Sequence, residues 1–111
     1  MAQAHNCPCS ETCVLQEALR MIGGKWKLPI LCSLLANGKS RYNELLKNTS
    51  GVSNTMLSKV LKELEDDGLV TRVEYLEVPI RVEYDLTDRA RALQPILLEL
   101  IRWALNTRDA V

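Results

Sequence analysis

Cysteine has the most distinctive chemistry in this chain, and three of its four cysteines lie close together near the N-terminus. They are Cys7, Cys9 and Cys13 in HNCPCSETC, whereas Cys32 lies in an apolar stretch and is predicted to be a small buried core residue. Thiolates are nucleophiles and soft metal ligands, so the N-terminal group could undergo reversible oxidation or, with His5, bind zinc or copper(I). The C-x-C-x3-C spacing differs from the usual C-x2-C of zinc sites, and a third interpretation gives Cys7 and Cys9 no role.

These residues do not predict an enzyme. His5 is the single histidine of the chain, and no set of cysteine, histidine and acidic residues suits a nucleophilic site. The 111 residues, 47% of them apolar and 25% charged, suffice for one domain with one core. No apolar stretch approaches the length of a membrane span, and no signal-peptide pattern opens the chain. We therefore expect a cytoplasmic protein without a cofactor or a membrane partner.

Charge is divided unevenly along the chain, although the formal net charge is zero. Residues 25–62 contain seven basic side chains and one acidic side chain, Glu44, whereas the remainder contains seven basic and 13 acidic side chains. Such a separation can place one basic face against the phosphates of a nucleic acid and keep the rest of the protein away from them. The charge pattern therefore favours nucleic-acid binding.

Residues 53–68 predict an amphipathic helix with a polar front end. Its apolar residues recur at spacings of three, four and seven and form one buried stripe: Leu57, Val60, Leu61 and Leu64. Ser53 is a good N-cap, and Gly68 is a good C-terminal stop because glycine tolerates the left-handed conformation. The first ten positions contain lysines and no acids. The front half of this helix therefore suits contact with a polyanion.

Three further helices are predicted before this one. The first, at residues 13–22, places Leu15 and Leu19 on one face; the second contains Pro29 in its first turn; the third is short, at residues 41–48, with Ser40 as its cap. A glycine-containing turn at residues 49–51 then leads into the helix at residue 53. A short helix, such a turn and a longer capped helix are typical of a helix-turn-helix.

After Gly68 the apolar period changes from 3.6 to 2. Residues 70–75 and 80–86 predict two strands joined by a loop at 76–79, which would form a β-hairpin wing. Thr87 is expected to cap a final helical region at 88–106 that is kinked or broken at Pro95. Its second part has more apolar surface than one face needs in a small domain. This excess predicts a two-fold homodimer, with closure of the chain's own core as the alternative.

Several short motifs follow one another in a fixed order along the chain. They are IGGKW at residues 22–26, RYNEL at 41–45, G-V-S-x-x-x-L-S at 51–58, L-x-x-L-E-x-D-G-L-V-x-R at 61–72 and P-x-x-V-E-Y-x-L-T at 79–87. Together they resemble the HxlR family of winged-helix transcription regulators, relatives of the MarR group. The chain departs from the family at Ala90, where members usually have glycine.

The resemblance implies an α+β fold, in which residues 13–111 form a winged helix-turn-helix DNA-binding domain with N- and C-terminal dimerisation helices. Residues 1–12 would form a cysteine-containing N-terminal tail. It also implies a homodimer that binds double-stranded DNA at a pseudo-palindromic operator. Base readout would fall to the front of the helix at residues 53–68, that is, to Ser53, Asn54, Thr55, Ser58 and Lys59. Phosphates would be contacted by Lys25, Arg41, Lys47 and Lys62, while Arg72 and Arg81 would flank the wing.

Cys13 stands ten residues before the first glycine of the IGG motif, a spacing that resembles many members of the family. In such members this cysteine senses oxidants, quinones or aldehydes, through a disulfide with the partner subunit or a covalent adduct. A thiol near a helix N-terminus gains thiolate character, which makes it more nucleophilic. The resemblance thus implies a DNA-binding regulator controlled by thiol chemistry at Cys13, with Cys7 and Cys9 as possible disulfide partners. The alternatives are the same regulator fold controlled by a soft metal at the N-terminal cysteines, or a small redox or metal-binding protein.

Overall fold

The computed structural model describes residues 10–108. Its elements are α1 (Ser10–Ile22), α2 (Lys27–Asn37), β1 (Ser40–Arg41), α3 (Tyr42–Asn48), α4 (Asn54–Asp66), β2 (Val70–Tyr75), β3 (Arg81–Leu86), α5 (Asp88–Arg91) and α6 (Gln94–Thr107). The three strands form one antiparallel sheet in the order β1-β3-β2. The predicted α+β class is confirmed, with α3 and α4 followed directly by the β2–β3 hairpin.

Helix α4 begins and ends where the sequence predicts. The Ser53 hydroxyl accepts a hydrogen bond from the Met56 backbone amide at 3.1 Å, which satisfies one of the donors that a helix N-terminus leaves without a partner. At the other end Gly68 has a φ of 74°, a left-handed conformation that glycine adopts without strain. The four apolar residues of the predicted stripe are all buried. The polar side of α4 is thereby turned towards solvent.

The cap of α3 differs from the prediction. Ser40 is not the N-cap: its backbone pairs with Tyr84 in β3, and its hydroxyl donates to the Gly38 carbonyl at 2.8 Å. The N-cap is Arg41, whose backbone amide donates to the Glu44 carboxylate at 2.7 Å. A strand of two residues is too short to show an apolar period in the sequence, so β1 is identified only from its pairing with β3 in the structure. This pairing fixes the start of α3 against the sheet.

The hydrophobic core lies between α2, α3, α4 and the sheet. Helix α2 contributes Ile30, Leu31 and Leu34, and β3 contributes Tyr84 and Leu86. The prediction that Cys32 is a buried core residue is wrong, because its side chain is exposed. An α-helix advances about 100° per residue, so Cys32 lies off the stripe that contains Ile30, Leu31 and Leu34.

Met21 and Ile22 at the end of α1 pack against this core, and the rest of the two terminal helices lies outside it. Leu15 and Leu19, which share the predicted apolar face of α1, are 57% and 54% exposed. The predicted break at Pro95 is confirmed, since α5 ends at Arg91 and α6 begins at Gln94 with Pro95 in its first turn. Helix α6 has no buried residue. Across residues 10–108 no helix has the length and hydropathy that a membrane span requires.

Candidate nucleic-acid interface

The front of α4 brings together the side chains that the sequence assigns to base readout. Asn54, Thr55, Ser58 and Lys59 are exposed and follow one another on a single side of the helix, at spacings of one and four. Ser53 immediately precedes them as the N-cap. These polar residues are exposed beside the buried stripe and at the front of the helix, so the core holds the helix and leaves its front accessible.

A tyrosine that the sequence did not single out lies against this front. The Tyr42 hydroxyl, at the start of α3, is 3.0 Å from the backbone oxygen of Asn54 and 3.1 Å from Asn54 Oδ1. It is also 3.1 Å from Ser58 Oγ. The Tyr42 ring is partly buried and packs against the core. Tyrosine combines an apolar ring with a polar tip, which is the signal that points to this second role.

The turn between α3 and α4 is covered by Trp26. A Cβ added at Gly51 would lie 3.6 Å from the edge of the Trp26 ring, and Gly51 itself has a φ of 88°. The Lys25 ammonium lies 5.0 Å from the centroid of the same ring, which is a cation–π distance. Lys25 is therefore held beside the turn that leads into α4, although it precedes that helix by almost thirty residues in sequence.

The other predicted phosphate contacts surround α4 in different ways. Arg41 and Lys47 are exposed at the two ends of α3. Lys62 lies on α4 itself and forms an ion pair of 3.2 Å with Asp66, in which both side chains are more than half exposed. Such an exposed pair is worth little, so a phosphate can replace the carboxylate at small cost. These three cations are available to a polyanion.

The arginines of the hairpin are engaged within the hairpin. Arg81 lies over the Tyr75 ring at 4.1 Å and forms an ion pair with Glu77 at 2.9 Å. Arg72 pairs with Glu74 at 3.5 Å, and a hydrogen bond with Tyr84 raises the pKa of its guanidinium above the usual value. Both arginines thus lie on the wing, as predicted, but each already has anionic or aromatic partners there.

Cys13 and Cys32 carry thiols in two different elements. Cys13 is the fourth residue of α1 and is half-buried, while Cys32 is exposed on α2. The other predicted sulfur and imidazole groups, Cys7, Cys9 and His5, lie outside the described residues. In the part of the chain that the structure describes, no group of three or more histidine, cysteine and acidic side chains is placed to hold a metal ion.

The helix that contains Cys13 is linked to the end of α4. Arg20 of α1 donates to Glu17 at 2.6 Å and to Asp67, the residue that ends α4, at 3.1 Å. These two carboxylates raise the pKa of the Arg20 guanidinium, the Glu17 hydrogen bond being the larger cause. Arg89 of α5 donates to the backbone oxygen of Asp67 at 2.7 Å. The C-terminal end of α4 is therefore a junction between α1 and α5.

Two short helices joined by a glycine turn, the second with an exposed polar front, and an antiparallel hairpin after them define a winged helix-turn-helix protein. A family model described as HxlR-like helix-turn-helix matches residues 21–110. The chain belongs to this family. The family assignment agrees with the resemblance seen in the sequence motifs.

Relatives and solved structures match almost the whole chain. YybR of Bacillus subtilis, an uncharacterised HTH-type transcriptional regulator, is 41% identical over 104 residues, which cover 94% of this chain and 82% of YybR. The oxidised form of the redox regulator HypR is 40% identical with a TM-score of 0.76, and the match covers 88% of this chain and 100% of HypR. The reduced form of the transcriptional regulator YodB from B. subtilis is 30% identical with a TM-score of 0.77, covering 96% of each chain.

These findings establish the broad function. The chain is a transcriptional regulator of the HxlR-like helix-turn-helix family, in which the recognised relatives are regulators rather than enzymes.

Proposed function

We propose that this transcriptional regulator binds double-stranded DNA as a homodimer, with α4 of each subunit in the major groove of one half of a pseudo-palindromic operator. One observation carries the proposal: the polar residues at the front of α4 are exposed together, while its four apolar residues anchor the helix in the core. In helix-turn-helix proteins the N-terminal residues of the second helix contact base edges. Here those are Asn54, Thr55, Ser58 and Lys59, preceded by Ser53.

The flanking cations are proposed to position the protein on the phosphates. Lys25 beside the turn, Arg41 and Lys47 at the ends of α3, and Lys62 on α4 surround the reading face, and phosphate contacts of this kind fix orientation without selecting sequence. Arg72 and Arg81 are proposed to contact DNA from the wing by exchanging a glutamate for a phosphate. Half-exposed ion pairs permit such an exchange at low cost.

The homodimer is proposed to form through α1 and α6. Val14 is 68% exposed on α1, and Ile101 and Trp103 are 55% and 64% exposed on α6. Soluble proteins rarely leave contiguous apolar surface of this kind in water, and a two-fold contact covers the same surface of both subunits at once. Two subunits related in this way would present two α4 helices to one DNA duplex, which requires a fixed half-site spacing.

Thiol chemistry at Cys13 is proposed to control DNA binding. Cys13 lies on α1, which belongs to the proposed dimer surface and is linked through Arg20 and Asp67 to the end of α4. When diamide or a related oxidant forms a disulfide, two thiols lose two electrons and two protons to the oxidant. A disulfide or an adduct at Cys13 would move α1, and with it the spacing of the two α4 helices. The similarity to the redox regulator HypR supports this control.

Binding to DNA from upstream of the protein's own gene tests the proposal that α4 recognises an operator. We expect specific binding whose equilibrium constant falls with salt, at a slope in log units of about −0.9 for each phosphate neutralised. Replacing Ser53, Asn54 and Lys59 together with alanine should abolish specific binding and leave the oligomeric state unchanged. Unchanged binding by that variant, or binding indifferent to salt, would refute the assignment of α4.

A paired comparison of cysteine variants tests the proposed regulation of DNA binding by Cys13. The reduced protein should bind the operator, the diamide-treated protein should not, and Cys13→Ser should bind under both conditions. Cys32→Ser is the matched control, because it removes an exposed thiol from a different helix, and it should respond to diamide like the wild type. If Cys13→Ser still loses binding on treatment, the switch does not reside at Cys13.

A further inference from the structure

The Tyr42 hydroxyl contacts two of the residues proposed to read bases, and we refer to Tyr42, Asn54 and Ser58 as the Tyr42 cluster. Three oxygens of α4 converge on this one phenol oxygen: the Asn54 backbone oxygen at 3.0 Å, Asn54 Oδ1 at 3.1 Å and Ser58 Oγ at 3.1 Å. All three lie at the exposed front of the helix. The cluster therefore joins α3 to the front of α4 through hydrogen bonds from one side chain to two side-chain oxygens and one backbone oxygen.

The hydrogens available to the cluster decide which groups remain for DNA. A phenol has one hydrogen to donate, and both oxygens of Asn54 are acceptors, so this hydrogen is directed towards them. Ser58 then completes the contact by donating its own hydrogen to the phenol oxygen. In this arrangement Asn54 Nδ2 keeps two N–H donors, and Ser58 Oγ keeps its lone pairs. Ser58 is therefore left as an acceptor only, and Asn54 keeps both donors of its amide.

The phenol is positioned by the fold before any DNA arrives. Tyr42 opens α3, whose N-terminus is capped by the hydrogen bond from the Arg41 amide to Glu44, and its ring packs against the buried core. Strand β1, directly before Tyr42, pairs with β3. A side chain fixed by packing and by its backbone can hold its neighbours in one orientation, which lowers the entropy that they lose on binding.

We propose that Tyr42 is a positioning residue for base recognition, which orients Asn54 as a hydrogen-bond donor and Ser58 as a hydrogen-bond acceptor. The inference rests on the proposed entry of α4 into the major groove. With Oδ1 held by Tyr42, the two N–H donors of Asn54 are directed towards an acceptor edge, such as N7 or O6 of a purine or O4 of thymine. Ser58 accepts from the exocyclic amine of adenine or cytosine.

Selection from randomised duplex DNA, followed by competition binding at one fixed salt concentration, tests the inference. The wild-type protein should select a defined sequence. Tyr42→Phe keeps the ring and removes the hydroxyl, so affinity for non-specific DNA and its salt dependence should not change. The ratio of specific to non-specific affinity should fall roughly tenfold, within the range that one base contact contributes. Base preference should broaden at the positions that face the front of α4.

Two further measurements separate positioning from general stability. In a variant that already contains Asn54→Ala and Ser58→Ala, adding Tyr42→Phe should change the ratio of specific to non-specific affinity by less than about twofold. The effects of coupled residues are not additive, and Tyr42 has no partners left to orient in that background. Ser33→Ala removes a hydroxyl from α2, away from the residues proposed to contact DNA, and serves as the control. It should keep the wild-type ratio.

The possible results discriminate between the inference and the function on which it rests. An unchanged ratio and an unchanged selected sequence for Tyr42→Phe overturn the inference and leave DNA binding by α4 intact. A tenfold loss that persists in the Asn54→Ala, Ser58→Ala background also overturns it, since the effect would then not pass through those residues. A wild-type protein that selects no sequence overturns the proposed function and the inference together.

Discussion

The region from α2 to α5 and the two terminal helices place their apolar side chains in opposite surroundings. Every buried apolar residue in the described part of the chain lies between Ile30 and Ala90, where α2, α3, α4 and the sheet enclose one another. Helices α1 and α6 have comparable apolar periodicity, yet Val14 and Trp103 are 68% and 64% exposed. Amphipathic periodicity thus specifies a face to be covered, and it does not specify whether the same chain covers it.

The dimensions of the molecule agree with this contrast. The Cα radius of gyration is 16.4 Å, whereas a compact domain of this length has a radius of roughly 13 Å. Helices that extend beyond a closed core increase the radius in this way. The core is therefore expected to withstand changes to the terminal helices, and assembly is expected to depend on them.

The largest effect is expected where a charge is introduced on α6. Ile101→Glu would place a carboxylate in the proposed dimer surface of each subunit, and a buried charge without a partner costs about 3 kcal/mol or more. The dimer dissociation constant, measured by sedimentation, should rise more than about a hundredfold. Leu76→Glu makes the same change at the wing tip, where the side chain is 90% exposed, and should leave the dimer intact. If the wild-type protein were monomeric at micromolar concentration, the exposed apolar faces of α1 and α6 would not be a dimer surface.

A truncation in the core should have the next largest effect. Leu57 is fully buried on α4, so Leu57→Ala should lower the free energy of unfolding by about 2–5 kcal/mol through lost contacts and a residual cavity. Urea denaturation at one protein concentration measures this. For Leu76→Ala, at a residue that is 90% exposed, a change within about 0.5 kcal/mol is expected. Equal losses at the two positions would mean that the core does not lie where the structure places it.

A smaller effect is expected at the boundary between the core and α6. The Thr87 hydroxyl accepts from the Ala90 amide at 3.2 Å and donates to the Gly68 carbonyl at 2.7 Å. Thr87→Ala removes both hydrogen bonds and should cost about 1 kcal/mol of unfolding free energy. Thr87→Ser keeps a hydroxyl at the same place and should retain most of that stability. If serine and alanine were equally destabilising, the loss would come from the methyl group instead of the cap.

The smallest effect is expected where α1 meets α4. Arg20→Gln removes the ion pairs with Glu17 and Asp67, which lie at the surface and are weakened by salt. Amide hydrogen exchange in α1 should become faster at low ionic strength. At about 1 M salt, where screening acts over roughly 3 Å, the variant and the wild type should exchange alike. A difference that persists at high salt would indicate packing by the Arg20 stem rather than its charge.

The sequence predicted best those features that depend on neighbours along the chain. Ser53 and Thr87 cap their helices as expected, since a cap is decided within four residues. The hairpin follows from a change of period at Gly68. The two wrong predictions concern features that depend on residues distant in the sequence. Ser40 is a strand residue because β3 lies beside it, and Cys32 is exposed because, within residues 10–108, that side of α2 is not covered.

The candidate site shows the same division. Asn54, Ser58 and Lys59 share one exposed side because the apolar stripe of α4 points the other way, and this the sequence itself determined. Their orientation is decided by Tyr42, twelve residues before Asn54, and the position of Lys25 is decided by the Trp26 ring against the turn at Gly51. Such contacts join residues that are distant in sequence, so they depend on packing that no local pattern encodes.

Local hydrogen bonding and apolar periodicity determined where the helices and strands of this protein begin and end, and which side of each element is apolar. Only the tertiary structure decided which apolar faces are buried within the chain itself and which cations have anionic partners. It also decided that the Tyr42 phenol lies against α4. The physical reason is that caps and periods arise from backbone geometry over a few residues. Burial and ion pairing instead depend on the three-dimensional arrangement of elements far apart in the chain.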